Sequence, residues 1–266
     1  LPLKLLCIAF LGLNSFITTG FSVDPTKHDR NYYESRGEVV WEVPMDEKLI
    51  ALTFDDGPNA KTTSQILDLL KKYEAKATFF VVGNRIDRFR EIVKREVLEG
   101  HEVANHTYNH TLFDRKADLT TIANEIAKTQ QKLTSVTGKS SPWFRPPGGC
   151  FNDNVIKMAK QQGYTLVLWS WHQDPRDWSM PGVDKIIDKV LKNARNGDIV
   201  LLHDHVYRST QTVQALQQIL PALKKQGFRM VTVSELMEHG KSKGIDKGMK
   251  IRKDEAFRTR TKKTVV

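Results

Sequence analysis

The sequence predicts an α/β protein built on a parallel sheet or barrel. Short apolar runs that suit buried strands alternate with stretches of ten or more residues carrying apolar side chains at a helical period. The alternation holds from about residue 48 to residue 236. Residues able to do chemistry also gather just after the apolar runs, where a parallel barrel carries its functional groups.

The elements follow in order. Leu49–Phe54 is a strand, and Thr62–Tyr73 a helix with Ile66, Leu67, Leu69 and Leu70 on one side. Ala77–Val82 is the second strand, closed by Gly83-Asn84. Arg88–Glu99 is a helix with Phe89, Ile92, Val93 and Val97 in register, and Gly100 caps it. After the short strand Glu102–Asn105, Asp118–Thr137 forms a long amphipathic helix through Leu119, Ile122, Ile126, Leu133 and Val136, ended by Gly138. Trp143–Arg145, Thr165–Trp171, Ile199–His203 and Phe228–Val233 are further strands. Asn154–Gln162, Asp184–Asn193 and Gln211–Gln226 are the helices among them. Residues 21–47, polar and holding Pro25, Gly37 and Pro44, read as a linker or strap.

The 266 residues are 39% hydrophobic, enough for a globular core. The net charge of +10 is uneven. Residues 241–266 hold ten Lys/Arg against three acids and no apolar period, so a basic, disordered tail is expected there. No aromatic stacking or base-reading pattern accompanies the charge, which argues against nucleic acid. Residues 1–20 resemble a signal peptide or an uncleaved signal anchor, with Lys4, the apolar run Leu5–Leu13 and the small residues Thr18 and Gly20. Export to the wall or the medium is therefore expected, with membrane attachment only if the segment is retained. Cys7 lies within it, and Cys150 alone remains, so there is neither a disulfide framework nor a Cys metal site.

Five segments carry chemistry. In Thr53-Phe54-Asp55-Asp56-Gly57-Pro58, two carboxylates stand where a strand meets a turn. Adjacent residues point to opposite sides, so one carboxylate can grip a metal while the other handles a proton. In His106-Thr107-Tyr108-Asn109-His110 the histidines are four apart, a spacing that puts both rings on one face of a helical turn. With an Asp oxygen they make a three-ligand set that leaves room for water and substrate. Phe144-Arg145-Pro146-Pro147-Gly148-Gly149 is a rigid loop holding an Arg, followed by glycines that let a backbone N–H approach a ligand. Asp174-Pro175-Arg176-Asp177-Trp178 offers orienting carboxylates and an aromatic face. Leu201-Leu202-His203 ends a strand on an imidazole.

Together these segments resemble the polysaccharide deacetylases, carbohydrate esterase family four, over about residues 48–236. The resemblance implies a distorted (β/α) barrel, seven-stranded, spanning a catalytic domain at 48–240. It implies removal of N-acetyl groups from an N-acetylglucosamine polymer, most naturally cell-wall peptidoglycan. A chitooligosaccharide deacetylase or an O-acetyl xylan esterase is the alternative, and a wall-binding protein with an idle site the reading from another class. One divalent metal is implied, Zn²⁺ first and Co²⁺ or Ni²⁺ next, held by Asp56, His106 and His110. Asp55 is the implied base and His203 the implied acid. Arg145 would orient Asp55, and Asp177 (with Asp174 as second candidate) would orient His203. Gly148 would hold the oxyanion through its N–H, and Trp178 and Leu201 would line the acetyl pocket. The family often has Tyr where this chain has Gly148, which bears on substrate choice. The basic tail would engage anionic wall polymers.

Overall fold

The computed structural model describes residues 28–113, 117–139 and 141–240. The signal-like segment and the basic tail lie outside these residues.

The order of elements is α1 (Arg30–Ser35), β1 (Val39–Val40), β2 (Leu49–Asp55), α2 (Thr62–Lys72), β3 (Ala77–Val81), α3 (Gly83–Ile86), α4 (Arg90–Leu98), β4 (Glu102–Asn105), α5 (Leu119–Thr137), β5 (Trp143–Phe144), α6 (Asp153–Gln161), β6 (Thr165–Val167), α7 (Val183–Asn193), β7 (Asp198–His203), α8 (Gln211–Lys225) and β8 (Arg229–Met230). All strand pairings are parallel. Seven strands run in the order β1-β6-β5-β4-β3-β2-β7, and β8 pairs with the start of β2. The sheet curls into a distorted (β/α) half-barrel.

Alternation along each strand builds two faces. In β2, Ile50, Leu52 and Phe54 pack outward with Ile66, Leu67 and Leu70 of α2 and Leu216, Ile219 and Leu220 of α8. Leu49 and Ala51 point into the lumen with Phe80, Ala104, Trp143, Val167 and Ile199. Continuing at a period of two, Thr53 and Asp55 of β2, Arg145 after β5, and Leu201 and His203 of β7 fall on the lumen side. The strand register sets Thr53 against Leu201 and Asp55 against His203. A second outer cluster, including Ile122 and Ile126 of α5 and Val155 and Ala159 of α6, covers the other half of the sheet.

Three elements differ from the sequence reading. Residues 30–47, expected as linker or strap, contribute α1 and β1, and β1 pairs with β6. Two strand residues are too few to leave a periodic signature. Where Gly83-Asn84 is expected only to end the second strand, the short helix α3 begins, and the helix expected over Arg88–Glu99 is α4 alone, starting after Phe89 at φ −120°. The strand expected over Thr165–Trp171 stops at Val167. Beyond it the chain leaves β6 and crosses toward β7, where Ser170 N–H donates to Ile199 O at 3.0 Å and Leu201 N–H to Gln173 O at 3.0 Å.

Candidate active site

Arg145 is the centre of the lumen and is fully buried. Its Nε donates to Val167 O at 2.9 Å and its Nη2 to Leu168 O at 2.8 Å. Nη1 donates to Thr53 Oγ1 at 2.8 Å and to Asp55 Oδ1 at 2.7 Å. The guanidinium also lies over the Phe80 ring, 4.0 Å from its centroid. Burial is the largest influence on Arg145 and lowers its pKa, against the charge of Asp55. Two backbone carbonyls at the end of β6 thus fix the guanidinium plane, and that plane fixes the Asp55 carboxylate. Asp55 Oδ2 is left facing His106 Nε2 at 3.8 Å.

Asp56 leaves the strand at φ 75°, the left-handed region that non-glycine residues seldom enter. This turn separates the two carboxylates. Asp56 Oδ1 lies 2.9 Å from His110 Nε2 and 3.4 Å from His106 Nε2. His106 Nδ1 is 2.7 Å from Arg145 O. A carbonyl only accepts, so Nδ1 carries the proton and the Nε2 lone pair is turned on Asp56. Asp56 Oδ1 is buried without a hydrogen bond. One anionic oxygen and two imidazole nitrogens converging in this way repel unless a cation sits among them, and a backbone carbonyl behind a ligating imidazole is the usual support for one. Asp56, His106 and His110 therefore fit a divalent metal.

The two histidines do not share a helical turn, as their spacing suggests. Residues 106–110 form an irregular loop in which Thr107 (φ 65°) and His110 (φ 57°) are left-handed. Backbone strain of this kind persists where the surroundings over-determine it. Glu125 of α5 does so here, accepting from Tyr108 N–H (3.0 Å), Asn109 N–H (2.8 Å) and Asn109 Nδ2 (2.7 Å). Sequence reasoning missed Glu125. Its signal was a charged residue inside the apolar stripe of Ile122, Ile126 and Leu133.

His203 is gripped by Asp177. The ring Nδ1 lies 2.7 Å from Asp177 Oδ1, and His203 N–H donates to Oδ2 at 2.8 Å. Thr212 Oγ1 also donates to Oδ2 (2.7 Å), and Trp178 N–H to Oδ1 (3.1 Å). Asp174 accepts from Arg176 N–H at 2.9 Å, so Asp177 is the orienting carboxylate. Burial, the largest influence on His203, lowers its pKa, but Asp177, with Asp55 and Asp56, outweighs it and raises the value to about 9. Nδ1 is thus taken up by Asp177, which leaves Nε2 as the free ring nitrogen.

Gly148 sits at φ 62° in the turn Pro147–Gly149. The amides of Gly149 and Cys150 are used inside that turn, on Pro146 O and Pro147 O. Leu201 is buried on the lumen side, and Trp178 is half exposed at the rim. A second residue that sequence reasoning missed is Asp204. Its N–H donates to Asp55 O (3.2 Å), and its Oδ2 accepts from Thr63 Oγ1. A Cβ on Gly57 would meet that Oδ2 at 2.0 Å, so the Asp55–Gly57 turn packs directly on this carboxylate. Burial pushes Asp204 up to about 7, with Asp56 and Asp55 adding to it.

Replacing His106 with Ala removes one Nε2 and the imidazole that fixes it. The affinity of the lumen set for the ion, read by competition against a chromophoric chelator, is expected to fall at least tenfold.

A curled parallel sheet with an Asp-His-His set that fits a divalent metal, beside a buried Asp and a carboxylate-held His, is the architecture of a hydrolase of metal-dependent type. The chain belongs to the polysaccharide deacetylase family, whose model matches residues 42–167. It is 53% identical over 210 residues to a peptidoglycan-N-acetylglucosamine deacetylase of Bacillus cereus, covering 79% of this chain and 98% of the relative. Its fold is similar to a solved peptidoglycan N-acetylglucosamine deacetylase bound to 4-naphthalen-1-yl-N-oxidanyl-benzamide, with a TM-score of 0.72, 36% identity, and 77% and 95% of the two chains covered. It is also similar to a CE4 family pseudoenzyme from Bacillus anthracis, with a TM-score of 0.69, 28% identity, and 76% and 69% covered. Fold alone therefore does not separate active members from idle ones.

Proposed function

We propose that this protein removes the N-acetyl group of N-acetylglucosamine in peptidoglycan. The observation that carries the reading is the pairing of Asp55 with His203 across β2 and β7, each locked by its own buried partner, on either side of the Asp56-His106-His110 set. The relative at 53% identity, matched over nearly its whole length, supports the substrate.

Asp56, His106 and His110 would hold one divalent ion, proposed as Zn²⁺ on the strength of two imidazoles and one carboxylate. When bound, the ion supplies Lewis acidity toward a carbonyl oxygen and toward water. Asp55 takes the proton of the attacking water through Oδ2, the oxygen that Arg145 leaves unbound. The Gly148 amide donates to the oxygen on which charge develops, a contribution of about 3 kcal/mol for such donors. His203, held by Asp177, gives its Nε2 proton to the departing amine. Leu201 forms the apolar wall for the acetyl methyl, and Trp178 presents a ring face to the sugar. The enzyme is proposed to be exported, on the apolar run Leu5–Leu13 and the location of peptidoglycan, and its basic tail to hold it to anionic wall polymers.

Acetate release from peptidoglycan, chitin oligomers and acetylated xylan, with and without chelator, tests the reading. Peptidoglycan is expected to be the fastest substrate, and chelator to abolish release. Faster turnover of either other substrate would reassign the polymer. Absence of acetate from all three with saturating metal would leave a wall-binding protein.

A further inference from the structure

The curled sheet has a seam. Its two end strands, β1 and β7, do not form a ladder with each other. The segment after β1 meets the start of β7 through single contacts, an antiparallel bridge between Glu42 and Asp198 and Val43 N–H to Gly197 O at 2.9 Å, while Ser170 of the segment after β6 donates from its N–H to Ile199 O at 3.0 Å. Three side chains meet at this join. Glu42 follows β1, His172 lies on the segment crossing from β6, and Asp198 opens β7. Their ligand atoms all lie within 4.8 Å of one another. Asp198 is at the opposite end of β7 from His203, about 17 Å away at the rise of a strand.

Protein groups leave two atoms of this cluster without partners. Arg30 Nη2 pairs with Glu42 Oε1 at 2.9 Å and reaches no other member of the cluster. His172 Nε2 lies 2.9 Å from Asp198 Oδ1, and Asp198 Oδ2 accepts from Gln173 Nε2 (3.0 Å) and from Arg195 N–H (2.8 Å). Glu42 Oε2 and His172 Nδ1 are buried without a hydrogen bond. His172 is 4% exposed. Buried polar atoms that lack partners commonly mark an absent water or ion. Two carboxylates and one imidazole from three separate segments suit a divalent first-row transition metal.

We propose that Glu42, His172 and Asp198 form a second divalent-cation site, separate from the catalytic set, that clips the seam between β1 and β7. The ion binds the folded seam and not the unfolded chain, so it stabilises the closed sheet by linkage. This inference does not depend on which reaction the lumen performs.

The test uses the full chain without an affinity tag, equilibrated with Zn²⁺ and freed of excess metal. Elemental analysis is expected to give two ions per chain. His172→Ala and His106→Ala are each expected to retain one, and the double variant none. Should the lumen set hold no metal, a single ion lost in His172→Ala but kept in His106→Ala would still support the seam site. A single ion lost only in His106→Ala would overturn it, as would two ions retained in His172→Ala. Because His172 is buried, Glu42→Gln at the sheet edge provides the second arm. In the His106→Ala background, Zn²⁺ at about a hundredfold over Kd is expected to raise Tm by roughly 5–10 °C. The added change Glu42→Gln should abolish that rise. An equal rise in both variants would discard the site.

Discussion

Asp55→Asn is expected to lower the rate of acetate release by about 10²–10⁴-fold while metal content stays at the wild-type level. The amide is nearly the size of the carboxylate, and its oxygen can still accept from Arg145 Nη1. It cannot take a proton from water. The metal set is untouched, since Asp56 Oδ1 and the two imidazole Nε2 atoms come from residues outside the substitution. Single-turnover acetate release and elemental analysis on the same preparation check both halves. Turnover within tenfold of the wild type would remove Asp55 as the base. Loss of metal together with turnover would mean that Asp55 supports the ion, not the proton transfer.

Arg145→Ala is expected to be the most destabilising single change in the lumen, at about 3–5 kcal/mol. The cost does not come from losing an attraction alone. The Asp55 carboxylate would stay buried with its counter-charge gone, and the carbonyls of Val167 and Leu168 would lose their donors. A drop in Tm of roughly 10 °C or more is expected in a thermal melt. Arg145→Lys should recover only part of it, because an ammonium cannot present a planar fork to four acceptors at once. A loss below 1 kcal/mol in the Ala variant would show that water replaces the guanidinium, and that Asp55 is not held by it.

Much of this site was legible because a strand's period of two is a rigid rule. Once Leu49–Phe54 is a buried strand, Asp55 must share a face with Leu49, Ala51 and Thr53, and the lumen face is the one it takes. The same rule serves Leu201 and His203. The histidine pair shows where such reasoning ends. Four-residue spacing fits a helical turn, yet left-handed backbone at Thr107 and His110 forbids one, and the loop is set by Glu125 nineteen residues beyond His106. Contacts of that range leave no local pattern. Asp204 was passed over for a related reason: next to His203 it looks like part of one motif, while its contacts are with Thr63 and the turn after β2. Spacing alone leaves the two carboxylates near Trp178 equal; the resemblance put Asp177 first, and Asp177 is the one that contacts His203.

The position of β1 has a practical consequence for any shortened version of this chain. β1 precedes β2 in sequence but lies at the far side of the sheet, against β6. A chain cut to begin at residue 48 would keep every residue of the lumen site and still lose the outermost strand. The edge of β6 would then present its unpaired amides and carbonyls to solvent beside Leu166 and Val167, an open template for a second molecule. Such a trimmed protein would aggregate rather than lose its chemistry first, so its insolubility would be no argument against the catalytic residues.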